Sequence, residues 1–292
     1  MELDGDGHID ILSGSYSWHE QPMAGVFQLL RGSAGGGFRA AETLPGSDGK
    51  PLVITPRGDG DDAVVERICT RPFAVDLDGD GRLDLVAGNF RGTFAVFRGE
   101  AGGTFAPQNT WLEADGVPLQ VDCHSDPFLV DWDGDGDFDL LSGSAEGGAF
   151  LFTNLGSRTA PTFAATPTTL LAPHERTAEE PTVAFGDAHL TQPTRATRVW
   201  ADDVDGDGKL DLLLGDSITL CHLQPGVDEA AARTAIAAWK KRQEALLASR
   251  GEGEPSEADE NRFIAAFEAL QQERAQVVRD EMTGFVWVMY RQ

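Results

Sequence analysis

Short apolar runs bounded by glycine and acidic residues dominate the first three quarters of the chain. Ile11-Leu-Ser-Gly14, Leu85-Val-Ala-Gly88, Leu140-Leu-Ser-Gly143 and Leu212-Leu-Leu-Gly215 have the same form. Runs this short, ended by glycine, suit strands rather than helices. Before three of them lies another short run: Pro72-Phe-Ala-Val75, Pro127-Phe-Leu-Val130 and Val199-Trp-Ala201. A further strand follows, as in Val26-Phe-Gln-Leu-Leu30, Phe94-Ala-Val-Phe97 and Ala149-Phe-Leu-Phe152. Gly36-Gly-Phe38 and Gly102-Gly-Thr-Phe105 then mark a turn and the opening of a third strand. Three or four short antiparallel strands with one turn grammar, repeated, predict an all-β fold. The expected architecture is a β-propeller with about four recognisable blades.

From Asp228 the pattern changes. Ile236, Trp239, Gln243 and Leu246 fall on one helical face, and the Gly251-Glu-Gly-Glu-Pro255 break follows. Ser256, with Asp259 three residues on, has the form of an N-cap and capping box. Phe263, Phe267, Leu270 and Val277 make a second helical stripe. An αα-hairpin over 227–281 is expected, inserted in the last blade, with Phe285–Tyr290 returning as a final strand within 282–292. The propeller repeats themselves occupy 1–226. A helical pair packed on the propeller is the plain expectation; an arm for self-association is the sharper one.

Between the paired strands sits one acidic loop, four times over: Glu2-Leu-Asp4-Gly-Asp6-Gly-His8-Ile-Asp10, then Asp76 to Asp84, Asp131 to Asp139 and Asp203 to Asp211. Acids stand at positions 1, 3, 5 and 9, and glycines at 4 and 6. Position 1 is Glu2, Asp76, Asp131 and Asp203; position 3 is Asp4, Asp78, Asp133 and Asp205; position 5 is Asp6, Asp80, Asp135 and Asp207. Position 9 is Asp10, Asp84, Asp139 and Asp211. The backbone carbonyl at position 7 (His8, Arg82, Asp137, Lys209) offers another oxygen. Hard oxygens gathered this way suit Ca²⁺, which takes six to eight at roughly 2.3–2.6 Å, and about four ions per chain are expected. Position 12 (Ser13, Ala87, Ser142, Leu214) lacks the glutamate of an EF-hand, and strands rather than helices flank the loop.

These loops, each continued by an apolar run ending in glycine, resemble the FG-GAP/VCBS-type repeats of bacterial surface proteins and, more distantly, of integrin α-subunit propellers. The resemblance covers most of residues 1–223. It implies a propeller with Ca²⁺ at its outer strand-connecting loops, bound by the acids named above. The chain departs from the integrin-like pattern after the strand, where it has Gly14-Ser, Gly88-Asn, Gly143-Ser and Gly215-Asp. That favours the bacterial subgroup over integrin-like adhesion.

Composition sharpens this picture. The 23 Lys and Arg face 48 Asp and Glu, a net charge of −25, which argues against nucleic acid as a partner. Seventeen of those acids lie in the four loops, so four Ca²⁺ ions would bring the charge to about −17. No apolar run is long enough to enter a membrane as a helix. The N-terminus shows no basic segment followed by an apolar run, so a signal peptide would have to precede this sequence. Calcium loops of modest affinity fill where calcium is millimolar, hence an extracellular, cell-surface or periplasmic setting is expected. Cys69, Cys123 and Cys221 are odd in number and have no zinc spacing; free thiols are expected over a Cys69–Cys123 bridge.

No catalytic motif survives inspection. His19-Glu20 and His174-Glu175 lack the second histidine of a zinc protease, and no nucleophile elbow or phosphate loop occurs. One constellation remains. Arg71, Asp126 and Arg198 each lie five residues before a loop, with His124 and the aromatics Phe73, Phe128 and Trp200 beside them. Equivalent blades would bring these strand starts to one face near the axis. There they would either bridge neighbouring blades or hold a polar ligand such as a sugar or a peptide carboxylate. Trp18, in the loop Tyr16–Glu20, is a second ligand candidate. The sequence therefore reads as a calcium-stabilised module that binds protein or carbohydrate. Its rivals are a propeller-type polysaccharide lyase, which the resemblance also admits, and a purely structural domain.

Overall fold

The computed structural model describes residues 2–3, 5–17, 23–174, 184–250 and 256–291. Two compact units form. The first comprises Met1–His174, Gln192–Asp216 and Phe285–Gln292; the second comprises Glu175–Thr191 and Ser217–Gly284.

In the first unit, sheet one contains β1 (Ile11–Gly14), β2 (Phe27–Leu30) and β3 (Glu42–Thr43). A short helix, α1 (Asp61–Arg67), leads into sheet two, which is β4 (Arg71–Val75), β5 (Asp84–Gly88), β6 (Phe94–Phe97) and, outermost, Thr110–Trp111. Two ribbons occupy the chain here, β7 (Gly99–Glu100) with β8 (Thr104–Phe105), and, after β9 (Thr110–Trp111), β10 (Glu113–Ala114) with β11 (Val117–Pro118). Sheet three is β12 (Asp126–Val130), β13 (Asp139–Gly143), β14 (Ala149–Phe152) and β15 (Thr168–Leu171). Sheet four begins with β16 (Arg195–Asp202) and β17 (Asp211–Leu223). All named strand pairs with a given register are antiparallel, and β4 and β5 pair from Arg71–Gly88 to Val75–Asp84, as β12 and β13 pair from Asp126–Gly143 to Val130–Asp139.

Strand alternation sends successive side chains to opposite faces, and both faces of the central strands are used. Leu85, Ala87, Ala95 and Phe97 pack with Phe27 and Leu29 of sheet one. Val86, Phe94 and Val96, on the other face of sheet two, pack with Leu140 and Phe152. Leu141, Ala149 and Leu151 then meet Val199, Leu212 and Leu214 of sheet four. The sheets are thus stacked in series, each core shared by two neighbours. Among the described residues no core cluster joins sheet four back to sheet one, so a closed ring is not seen.

The same seam joins each sheet to the next. Cys69, His124 and Ala196 all adopt left-handed backbone, at φ 56°, 52° and 51°. Their N–H groups donate to the carbonyls of Tyr16, Phe90 and Ala145 in the preceding sheet. The next residue, Thr70, Ser125 or Thr197, is a buried hydroxyl. Its oxygen accepts from the N–H of Ser15, Asn89 or Ser144, and its hydroxyl donates to carbonyls of the same segment, such as Val26, Thr93 and Gly148. The seam explains the glycine that ends the first three apolar runs, Gly215 of the fourth having no such close neighbour. A Cβ on Gly14, Gly88 or Gly143 would sit 1.7, 2.1 or 2.2 Å from the carbonyl oxygen of Thr70, Ser125 or Thr197.

In the second unit, the outer half of β17 (Ile218–Leu223) pairs with β18 (Val278–Thr283). Between them run α2 (Glu229–Ala248) and α3 (Glu257–Ala275). Asp228 caps α2 and Ser256 caps α3, each accepting from a backbone N–H three residues on. The Trp239 indole donates to the Leu270 carbonyl at 2.7 Å. Residues 278–281, expected in the helical hairpin, form a strand instead. Val278 is buried opposite Leu223, and Val277 follows the end of α3 rather than extending its stripe. Within the first unit the last strand, β19 (Val286–Met289), pairs with Leu212–Gly215 of β17, so sheet four runs β16, β17, β19.

Candidate functional site

The first acidic loop leads into β1 and the other three connect the first two strands of sheets two, three and four; their glycines take the backbone that a wrapped turn needs. Positions 4 and 6 lie at φ between 72° and 97° in all four loops, where glycine carries no steric cost. The acids order the turn. In the third and fourth loops position 1 accepts from the N–H groups of both glycines, Gly134 and Gly136 for Asp131, Gly206 and Gly208 for Asp203. Position 5 accepts from the N–H of position 7 in every loop, His8, Arg82, Asp137 and Lys209.

Three of the loops bring carboxylate oxygens within 4.8 Å of one another: Asp76 with Asp78 and Asp80, Asp131 with Asp133 and Asp135, and Asp203 with Asp205 and Asp211. That span is about the diameter of a calcium coordination sphere. In the first loop Asp4 lies outside the described residues. A fourth group, Asp122, Cys123 and Glu146, lies outside the motif, and Glu146 is already held by Arg195 at 2.9 Å.

Position 9 differs from the rest. Asp10, Asp84, Asp139 and Asp211 are nearly inaccessible, at 3, 3, 2 and 1 % exposure. In each, Oδ2 accepts from the N–H of position 2 and Oδ1 from an N–H just beyond the strand that pairs with β1, β5, β13 or β17: Gly32, Gly99, Asn154 and Arg291. This acid therefore fastens the loop to its sheet whatever else it binds. Burial raises the carboxyl pKa of Asp84 and of Asp139.

The loops are not electrically alike. In the second, Arg98 lies 3.0 Å from both Asp78 and Asp84, Arg158 lies 3.4 Å from Asp76, and Arg82 pairs with Asp80. In the third, no ion pair is found among the described residues. There the position 7 side chain, Asp137, is also buried, its Oδ1 has no hydrogen-bond partner among the described residues, and burial followed by Asp135 raises its pKa. Its sequence role was expected to be the backbone carbonyl alone.

The strand-start residues do converge. Gly14, Ser15 and Tyr16 of sheet one, Cys69 and Arg71 of sheet two, Asp126 of sheet three and Arg198 of sheet four line one pocket of about 430 Å³. Arg71 donates to the His124 carbonyl at 2.6 Å and lies 3.4 Å from its Nδ1. Burial first, and then Arg198, lowers the Arg71 pKa to about 10. Burial, with Arg71 and Arg198, also lowers the pKa of His124. Asp126 stands 3.8 Å from Arg198 and accepts from the Val199 N–H, yet burial outweighs both arginines and raises its pKa. The strand starts thus converge on one pocket, with Asp126 of sheet three facing Arg198 of sheet four. Trp200 lies elsewhere, over Phe128 at 4.7 Å, and Phe128 meets Phe73 at 5.1 Å. Trp18 falls outside the described residues.

All three cysteines are free, and burial raises the Cys69 thiol to about 11. Cys123 is not the counterpart of Cys69; the left-handed backbone assigns that place to His124. The hydroxyls of Thr70, Ser125 and Thr197 escaped the sequence reading. Their signal was present, a Thr or Ser one residue before each Arg or Asp, but its weight lies in a contact with the previous repeat.

Residues 76–142 match the family model of the FG-GAP-like repeat. That segment carries an FG-GAP-like repeat. The matched segment runs from the second acidic loop through the third and into β13. No curated protein and no solved structure gives a significant match. No described helix is long and apolar enough to cross a membrane.

Proposed function

We propose that the first unit is a calcium-stabilised, extracellular interaction module that binds a carboxylate-bearing ligand in the pocket of Arg71, Asp126 and Arg198. The observation that carries this reading is the convergence of strand starts from separate sheets on one pocket holding two guanidinium groups against one carboxylate. Guanidinium groups give strong, charge-assisted hydrogen bonds to carboxylates. The pocket lies apart from the acidic loops, whose part is structural.

The loops fit Ca²⁺ by their donor chemistry: only hard oxygens, left-handed glycines, and three oxygens within one coordination sphere in three of the four. Asp76, Asp78 and Asp80 and their counterparts would hold the ion. A bound cation stabilises the folded state by about 2.7 kcal/mol per site at a hundred times Kd.

Two measurements test the reading. Calorimetric unfolding with and without EDTA, with metal counting, should give a higher melting temperature in Ca²⁺ and about four ions per chain. Unchanged melting, or fewer than three ions, defeats the calcium part. Titration with N-acetylaspartate or galacturonate should show binding that Arg71→Ala and Arg198→Ala each weaken at least tenfold, by the usual worth of a charge-assisted contact. A ligand affinity indifferent to both arginines would move the site elsewhere. Turnover of an acidic glycan that stops in these variants would convert the module into an enzyme.

A further inference from the structure

Position 7 of the acidic loop carries His8, Arg82 and Lys209 in the first, second and fourth loops, and an acid, Asp137, in the third. Arg82 and Lys209 are exposed and turn back to the acid at position 5: Arg82 pairs with Asp80, and Lys209 Nζ lies 3.7 Å from Asp207. In the third loop acid follows acid at these places, and the position 7 side chain is not exposed. Asp137 is only 7 % accessible, and its Oδ1 has no hydrogen-bond partner among the described residues. Burial first, and then Asp135, Asp133 and Asp131, oppose its ionisation. A buried carboxylate oxygen without a partner is costly and calls for a counter-charge.

We infer that the Asp137 carboxylate makes the third loop the tightest cation site of the chain, filled first and most selective for trivalent over divalent ions. This rests on the calcium reading above and ranks its sites.

The charge facing an ion differs from loop to loop. The second has four acids against Arg82 within the loop and Arg98 and Arg158 beside it, a net of −1. The fourth has four acids and Lys209, a net of −3, and the first has four acids and the neutral His8, a net of −4. The third has five acids and no base, a net of −5. Two arginines do touch the third loop, but on its rings: Arg158 lies over Phe138, and Arg291 lies over Trp132 and donates to its carbonyl. Neither pairs with a carboxylate of that loop. Calcium affinity follows the number of charged groups at a site. Even at the dielectric constant of water, a unit charge about 6 Å from a divalent ion is worth about tenfold. The same charge acts on a trivalent ion with half as much energy again, which is the source of the selectivity.

Isothermal titration of the whole chain, stripped of metal by a chelator, tests this with Ca²⁺ and with Tb³⁺ as probes. One site should bind Ca²⁺ at least about tenfold more tightly than the others. Asp137→Asn, which keeps the shape and removes the charge, should abolish that gap. For a tenfold loss of Ca²⁺ affinity it should cost about thirtyfold in Tb³⁺ affinity, because Coulomb attraction scales with the charge of the ion. The reverse exchange, Lys209→Asp at an exposed place in the fourth loop, should create a second tight site, and it decides the matter if Asp137→Asn does not fold. A tight site that persists in Asp137→Asn, or a fourth loop that Lys209→Asp does not tighten, overturns the ranking. Equal losses for Ca²⁺ and Tb³⁺ overturn the trivalent preference. Equivalent sites that neither variant shifts defeat this inference and leave the calcium reading standing; if neither ion binds, both fail.

Discussion

Ala196 holds φ 51° with a methyl side chain, a conformation that costs an L-residue roughly 1–2 kcal/mol and glycine almost nothing. Glycine returns part of this as unfolded-state entropy, so Ala196→Gly should stabilise by about 0.5–1 kcal/mol, read as a rise in thermal midpoint. Its neighbour carries the opposite expectation. Thr197 is fully buried and satisfies the Ser144 N–H and the Gly148 carbonyl together, and Thr197→Val would strand both. A loss of about 1–3 kcal/mol should follow, with melting unchanged overturning the seam as a stabilising element. Asp126 gives the residue-scale pH dependence. Its folded pKa is raised, so the folded state holds this proton to higher pH than the unfolded state does. Its ionisation therefore weakens the fold at neutral pH, and that penalty fades as pH falls through the folded pKa toward the ordinary value near 4. Asp126→Asn should melt higher than the parent at pH 7, with the gap closing in acid.

At the scale of the element, one loop contains two kinds of acid that the sequence writes with the same letter. Asp139 is buried with both oxygens accepting from backbone N–H groups, whereas Asp133 is exposed and faces Asp131 and Asp135. Asp139→Asn replaces one acceptor by a donor that meets a donor. It should cost about 1–3 kcal/mol in EDTA and in Ca²⁺ alike. Asp133→Asn should lower the melting point only in Ca²⁺, and in EDTA leave it level or raise it by relieving repulsion. Equal calcium dependence of the two losses would refute the division of labour. The spacing of acids and glycines was legible in the sequence because every loop follows one local rule. The difference between position 9 and the others was not, because it arises where the next strand ends, at Gly32, Gly99, Asn154 and Arg291. The same limit hid β18. Val277 and Val278 continue a helical stripe locally, and only the outer half of β17, 55 residues earlier at Leu223, draws Val278 into a strand.

For the whole molecule, repetition carried most of the information. Equivalent positions in successive repeats predicted that Arg71, Asp126 and Arg198 meet, since a stack of like sheets brings like strand ends together. Whether the stack closes depends on contacts between its first and last members, which no local pattern encodes. Charge acts on this same scale. A net of −25 opposes compaction, and the acids are concentrated in loops where calcium would remove about eight of those charges. Salt screens what calcium neutralises, with a Debye length near 10 Å at 0.1 M. In EDTA, raising NaCl from about 0.05 to 0.5 M should therefore raise the melting temperature, and in millimolar Ca²⁺ the same change should raise it less. The second loop, already furnished with Arg82, Arg98 and Arg158, should contribute least to that calcium effect. Asp133→Asn in the third loop should accordingly lower the calcium-dependent rise in melting more than Asp78→Asn in the second. If the second-loop variant loses as much, its arginines do not substitute for the cation and the loops are equivalent.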